Sequence, residues 1–126
     1  MKEPVILIGK VVRGKALGRT VGMPTANLCI TEGTMPEEGV YATRIRIGDG
    51  VYTSVTNIGR RPTVDDESYI TVETFILDFN EEIYGQFVKL EVYKFLRPIQ
   101  KFSSLEEVQK QVEKDIEETK NYFLAY

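Results

Sequence analysis

The sequence predicts a small, mainly β protein: an antiparallel barrel, closed or nearly so, with one helix packed outside it. Three observations carry this. Alternating apolar and polar residues dominate the first three quarters of the chain. Gly- and Asp-rich breaks cut that part into about six strand-length segments. The hydrophobic period changes to that of a helix only beyond Ser103. The chain has 126 residues, enough for one core and too few for two.

Val5–Val12 is β-rich and mostly apolar, and forms the first strand. Thr25–Ile30 alternates and forms the second. A polar stretch with Gly33, Pro36 and Gly39 follows as a loop. In Val40–Ile47, Val40, Ala42, Arg44 and Arg46 share one face, and Tyr41, Thr43, Ile45 and Ile47 the other. Gly48-Asp49-Gly50 is a hairpin turn into Val51–Ile58, which stops at Gly59. Residues 59–68 read as a second polar loop. Tyr69–Leu77, rich in β-branched and aromatic residues, is the fifth strand. Tyr84-Gly85-Gln86 breaks the chain again before Phe87–Leu96, the sixth. Ser103 with Glu106, or Ser104 with Glu107, offers a capping box. Leu105, Val108, Val112, Ile116 and Phe123 then recur at helical spacing, opposite a charged face expected to be solvated.

Composition narrows the function. A net charge of -3 does not point to a nucleic-acid surface. No apolar run approaches the roughly 20 residues that span a bilayer, and the N-terminal apolar stretch is too short for a signal peptide. The single cysteine, Cys29, forms no internal disulfide, which fits a reducing cytoplasm. In its apolar strand it reads as a small core residue. The chain has no histidine. That removes Ser-His-Asp and Cys-His catalysis and His-based zinc sites, so proton transfer falls to a carboxylate, Lys, Tyr, Cys29 or water.

Chemistry concentrates in residues 14–27. Gly14, Gly18 and Gly22 allow sharp turns and close approach of backbone to a ligand, and Arg19 adds a fixed positive charge suited to phosphate. Pro24-Thr25-Ala26-Asn27 then places a hydroxyl and a carboxamide on one side of an extended chain, a seat for Mg²⁺ that keeps most of its ligands from phosphate and water. The plain alternative is a Gly-rich hairpin whose Thr and Asn satisfy a turn. A Walker A loop is excluded, because no Gly-Lys-Ser/Thr ends the glycine run. Glu73 lies in an otherwise uncharged strand and is the candidate base; alternatively it points outward with Thr71 on a polar face.

Gly14, Gly18-Arg19, Gly22 and Pro24-Thr25-Ala26-Asn27 resemble the nucleotide loop and PTAN motif of riboflavin kinases. The likeness continues through Gly39-Val40-Tyr41, Asn57-Ile58-Gly59, Pro62-Thr63, Glu73, Tyr84-Gly85, Leu96-Arg97-Pro98 and Lys101-Phe102, nearly the whole chain. The resemblance implies a six-stranded Greek-key barrel with a C-terminal helix, forming one domain over residues 1–126. It implies Mg²⁺-dependent transfer of phosphate from ATP to riboflavin, giving FMN and ADP. Thr25 and Asn27 would hold Mg²⁺ and phosphate oxygens, with Gly14, Gly18, Arg19, Gly22, Pro24 and Tyr84 at the nucleotide. Glu73 would accept or orient the proton of the ribityl 5′-hydroxyl, and Arg97 and Phe102 would stand on the flavin side. Asn57-Ile58-Gly59 would shape the pocket wall.

The chain departs from the family at Ala16 and Leu17, where a further Gly and Arg are common, at Lys15, where an acidic or aromatic residue is frequent, and at Ile99, where an acid is common. The altered loop keeps open a flavin-binding barrel without turnover. A generic barrel interaction domain is a third class. In bacteria such domains often join an FMN adenylyltransferase. The 126 residues leave no room for that domain, so the expected partners are small-molecule substrates and an adenylyltransferase domain or protein, with no nucleic acid or membrane.

Overall fold

Strand pairing closes the chain on itself. The computed structural model describes residues 3–13, 25–62 and 68–125, except for the side chains of residues 61, 62, 68 and 69. Within them are β1 (Val5–Val12), β2 (Ala26–Glu32), β3 (Gly39–Ile47), β4 (Gly50–Pro62), β5 (Ser68–Ile76), β6 (Phe87–Arg97) and α1 (Leu105–Leu124). The strands pair in the order β1-β2-β5-β4-β3-β6, with β6 returning to β1. Every pairing is antiparallel. β3, β4 and β5 are consecutive neighbours and β6 lies beside β3, which is a Greek key.

β4 runs further than its sequence suggests. Residues Gly59 to Pro62 were expected in a loop, yet they continue the ladder opposite Thr71 to Ser68. Backbone hydrogen bonds, not side-chain polarity, hold an antiparallel ladder, so a polar stretch can extend it.

Alternation sorts side chains between a filled interior and an outer surface. Leu7, Ile45, Ile58 and Leu90 are fully buried inside the barrel. Among them runs a chain of buried hydroxyls. Thr43 Oγ1 lies 2.7 Å from Ser54 Oγ and 2.8 Å from Thr56 Oγ1, and Thr56 Oγ1 lies 2.9 Å from Thr74 Oγ1. Each hydroxyl meets another, so these polar groups are tolerated where water is absent. Cys29 is exposed rather than in the core. Leu28 before it points inward, so period-2 alternation turns Cys29 outward beside its register partner Lys10.

Helix α1 starts at the Ser104 cap: its hydroxyl accepts the Glu107 N–H at 3.2 Å. The Glu107 carboxylate reaches back to the Ser103 N–H and hydroxyl at 3.1 and 3.0 Å, one residue earlier than the usual reciprocal bond. The helix lies against β3 and β4. Its most buried residues are Asp115 and Thr119, whereas Val108, Val112, Ile116 and Phe123 are half-buried and Leu105 is exposed. The expectation of a wholly solvated charged face therefore fails at Asp115. Arg97, at the end of β6, grips its carboxylate with two hydrogen bonds of 2.9 and 2.8 Å.

Candidate functional site

Because side chains fill the barrel, a ligand of this chain has its places at the mouth or on the outside. On the outside, register assembles a polar row. Glu73 of β5 stands opposite Asn27 of β2 on one side and Asn57 of β4 on the other. Directly paired residues of antiparallel strands share a face, with Cα atoms about 4.5–5.5 Å apart. Residues 72 and 74 on either side of Glu73 are Val72 and Thr74, both buried inward, which fixes Glu73 outward. Its partner on that face is Thr71, as the plainer sequence reading had it.

Outward here does not mean open to bulk water. Glu73, Asn57, Thr71 and Gly59 line a cavity of about 210 Å³, walled further by Glu38, Arg60 and Ile99. Glu73 itself is half-buried. Glu38 is fixed, its carboxylate accepting the Arg60 N–H at 2.7 Å. Gly59 keeps the floor clear: a Cβ there would come within 3.0 Å of Thr71 Oγ1.

A second cavity, of about 240 Å³, opens at the barrel mouth. Thr25, Ala26, Thr74, Val11, Ile83 and Tyr84 contribute to its wall. It thus brings together Thr25 and Tyr84, both expected at the nucleotide. Arg13 stacks over the Tyr84 ring at 4.4 Å, placing a cation at the rim of that wall. Thr25 therefore belongs to the mouth and Asn27 to the outer row, two residues apart on the same strand entry. Hydroxyl and carboxamide oxygens are hard donors that suit Mg²⁺. The described residues contain no cluster of three or more His, Cys, Asp or Glu able to hold a metal without help from a ligand.

Arg97 and Phe102 stand together, the guanidinium 5.8 Å from the ring centroid. Neither lines the two cavities; Ile99, between them in sequence, does. The Arg97 donors are already engaged by Asp115 and by the Pro98 carbonyl at 3.3 Å. Gly14, Gly18, Arg19, Gly22 and Pro24, with Lys15, Ala16 and Leu17, lie outside the described residues, as does Thr63. Sequence reasoning passed over Glu38 and Thr74. Parity with Glu73 marks Thr74 as inward, whereas Glu38 reaches its cavity only through the long-range pairing of β3 and β4.

The class these features define is a closed Greek-key barrel with a filled interior, one cavity at its mouth and another beside its outer polar row. The Flavokinase family model, riboflavin kinase, matches residues 1–123. A bifunctional riboflavin kinase/FMN adenylyltransferase of Haemophilus influenzae is 38% identical over 122 residues, covering 96% of this chain and 39% of its own length. A Streptococcus pneumoniae crystal structure described as a macrolide-efflux protein superimposes with a TM-score of 0.87 at 36% identity, over 94% of this chain and 39% of that one. A riboflavin kinase from Trypanosoma brucei shares the fold, with a TM-score of 0.65 at 22% identity over 98% and 82% of the two chains. The chain belongs to the riboflavin kinase family. It spans about two fifths of the length of the bifunctional relative. Among the described residues no helix is long and apolar enough to cross a membrane.

Proposed function

We propose that residues 1–126 form a single riboflavin kinase domain that transfers the γ-phosphate of ATP to the ribityl 5′-hydroxyl of riboflavin, giving FMN and ADP. The observation that carries this reading is the Asn27–Glu73–Asn57 row beside an outer cavity, with Thr25 two residues away at the mouth cavity. Donor and acceptor can thereby meet across the entry to β2. Family membership favours this over a flavin-binding barrel without turnover.

The chemistry asks little covalent work of the protein and much positioning. The 5′-oxygen forms a bond to the γ-phosphorus as the bond to the β,γ-bridging oxygen breaks. Glu73 accepts the hydroxyl proton, and ADP leaves. Thr25 and Asn27 would hold Mg²⁺ with the phosphate oxygens; when bound, the ion neutralises charge on the transferring group. Gly14, Gly18, Arg19, Gly22, Pro24 and Tyr84 serve the nucleotide. Phe102 covers the flavin side. Arg97 serves it by holding the segment that carries Ile99, since each of its three guanidinium nitrogens is bonded to Asp115 or Pro98. A cytoplasmic setting, and an FMN adenylyltransferase as domain or separate partner consuming the FMN, belong to the same reading.

The test is a turnover assay with riboflavin, ATP and Mg²⁺, resolving FMN by chromatography, with EDTA and no-nucleotide controls. FMN that depends on nucleotide and metal is expected. Glu73→Gln should lower kcat by about 10²–10⁴-fold while flavin binding, read by fluorescence quenching, persists. An unchanged rate would remove Glu73 from its role.

A further inference from the structure

We propose that Asn57 is an acceptor-specificity residue, whose carboxamide holds the ribityl hydroxyls next to the reacting 5′-hydroxyl. The proposal rests on the reading of riboflavin as acceptor and Glu73 as base. Asn57 is the direct register partner of Glu73 and shares its cavity. The other register partner of Glu73, Asn27, is absent from that cavity wall and continues from Thr25 at the mouth. The two carboxamides therefore flank the carboxylate on opposite sides, Asn27 toward the donor and Asn57 toward the acceptor.

Chemistry singles out Asn57 among the polar groups of this cavity. A carboxamide presents an NH₂ donor and a C=O acceptor side by side. That pair matches two adjacent hydroxyls of a polyol, each of which donates and accepts. The Glu38 carboxylate only accepts, one of its oxygens already taking the Arg60 N–H, and the Arg60 guanidinium only donates. Thr71 has a single hydroxyl. Asn57 is exposed, and among the described residues no hydrogen bond or ion pair holds its side chain. Asn57 and Glu73 stand one strand spacing apart, about 4.8 Å, a gap that successive hydroxyls of one polyol chain can span.

A site built to bond hydroxyls discriminates against an analogue lacking them, because its polar groups then go unpaired. The experiment compares riboflavin with a flavin carrying a 5-hydroxypentyl chain, which keeps the reacting hydroxyl and lacks the other three. In wild type, riboflavin should have the lower KM. Asn57→Ala should raise the riboflavin KM about 10- to 100-fold, with kcat and the KM for ATP within about threefold. It should leave the analogue's KM unchanged. Asn57→Ser, which restores one donor and one acceptor, should recover part of the loss. Equal losses on both acceptors, or no change on riboflavin, would overturn the proposal. Fluorescence quenching separates this from the kinase reading. If wild type binds both flavins and phosphorylates neither, the kinase reading fails. The proposal then stands on loss of the riboflavin-over-analogue binding preference in Asn57→Ala, and falls if that preference survives.

Discussion

Removing the Asp115 carboxylate tests what fixes helix α1 to the barrel. The Arg97 guanidinium donates through Nε to Asp115 Oδ1 at 2.9 Å and through Nη2 to Oδ2 at 2.8 Å, and Gln111 Nε2 adds a third bond to Oδ1 at 3.1 Å. The two charged side chains are only 17% and 4% exposed. Asp115→Ala leaves the guanidinium enclosed without its counter-charge, which costs about 3–5 kcal/mol. For a chain of this length the unfolding entropy is about 0.26 kcal/mol per kelvin, so Tm should fall by about 11–19 °C. The double replacement Arg97→Met with Asp115→Leu removes both charges and fills their space. It should recover to within about 1 kcal/mol of wild type, because a buried pair barely outweighs its desolvation. Urea and thermal unfolding of wild type, Arg97→Met, Asp115→Leu and the double replacement close a double-mutant cycle. An Asp115→Ala loss below about 1 kcal/mol, or no coupling between the sites, would refute the claim that this pair secures the helix.

Three smaller perturbations probe the interior. Thr56→Val breaks the hydroxyl chain at the member bonded to both Thr43 and Thr74; stability should drop by about 1–3 kcal/mol in urea unfolding. Thr119→Val should do the opposite, raising stability by about 1 kcal/mol, because the Thr119 hydroxyl is fully buried with no hydrogen-bond partner among the described residues. Tyr41 tests pH dependence. Burial first, and the Glu37 charge second, raise its phenol above 10.0. The folded state thus holds the proton more tightly, so the stability this contributes is intact below pH 10 and lost as pH rises through the folded value. Tyr41→Phe should therefore show a shallower alkaline decline in unfolding midpoint than wild type; identical declines would exclude Tyr41 as the cause.

The strands were legible because each turns alternate residues toward the core, although Val40, Ala42 and Val55 on the outer face are buried as well. In β3 the alternation of Tyr41, Thr43, Ile45 and Ile47 against Val40, Ala42, Arg44 and Arg46 reads directly as a half-buried strand, and the Gly48–Gly50 turn pairs it with β4. The extension of β4 through Gly59–Pro62 was not legible, since ladder bonds leave no mark on polar side chains. Asp115 was misread for a related reason. A charge on a helix face signals solvent unless a partner is known, and Arg97 lies on another element. Glu73, Asn27 and Thr25 could be marked as candidates from residue type and neighbours. Their grouping with Asn57 depends on β2–β5 and β4–β5 register, a long-range property that local pattern does not encode.

Register also explains why the proposed chemistry falls where β2 begins. Ala26 and Leu28 pair with Thr74 and Val72 on the inner face, while Asn27 pairs with Glu73 on the outer one. Ala26 and Thr74 belong to the mouth cavity and Glu73 to the outer cavity, so the two cavities lie on opposite faces of β5, with β2 beside the first and β4 beside the second. A packed, hydrogen-bonded sheet cannot pass a phosphoryl group through itself. On the proposed reading, transfer between the two sides goes around an end, and Thr25, immediately before β2, is at that end and in the mouth wall. A one-residue slip of β2 against β5 would turn Asn27 inward and Ala26 toward Glu73. The inward residues Leu28 and Val72, exposed by only 6% and 2%, oppose that slip by the apolar area it would expose. The core thereby sets the register that assembles the Asn27–Glu73–Asn57 row.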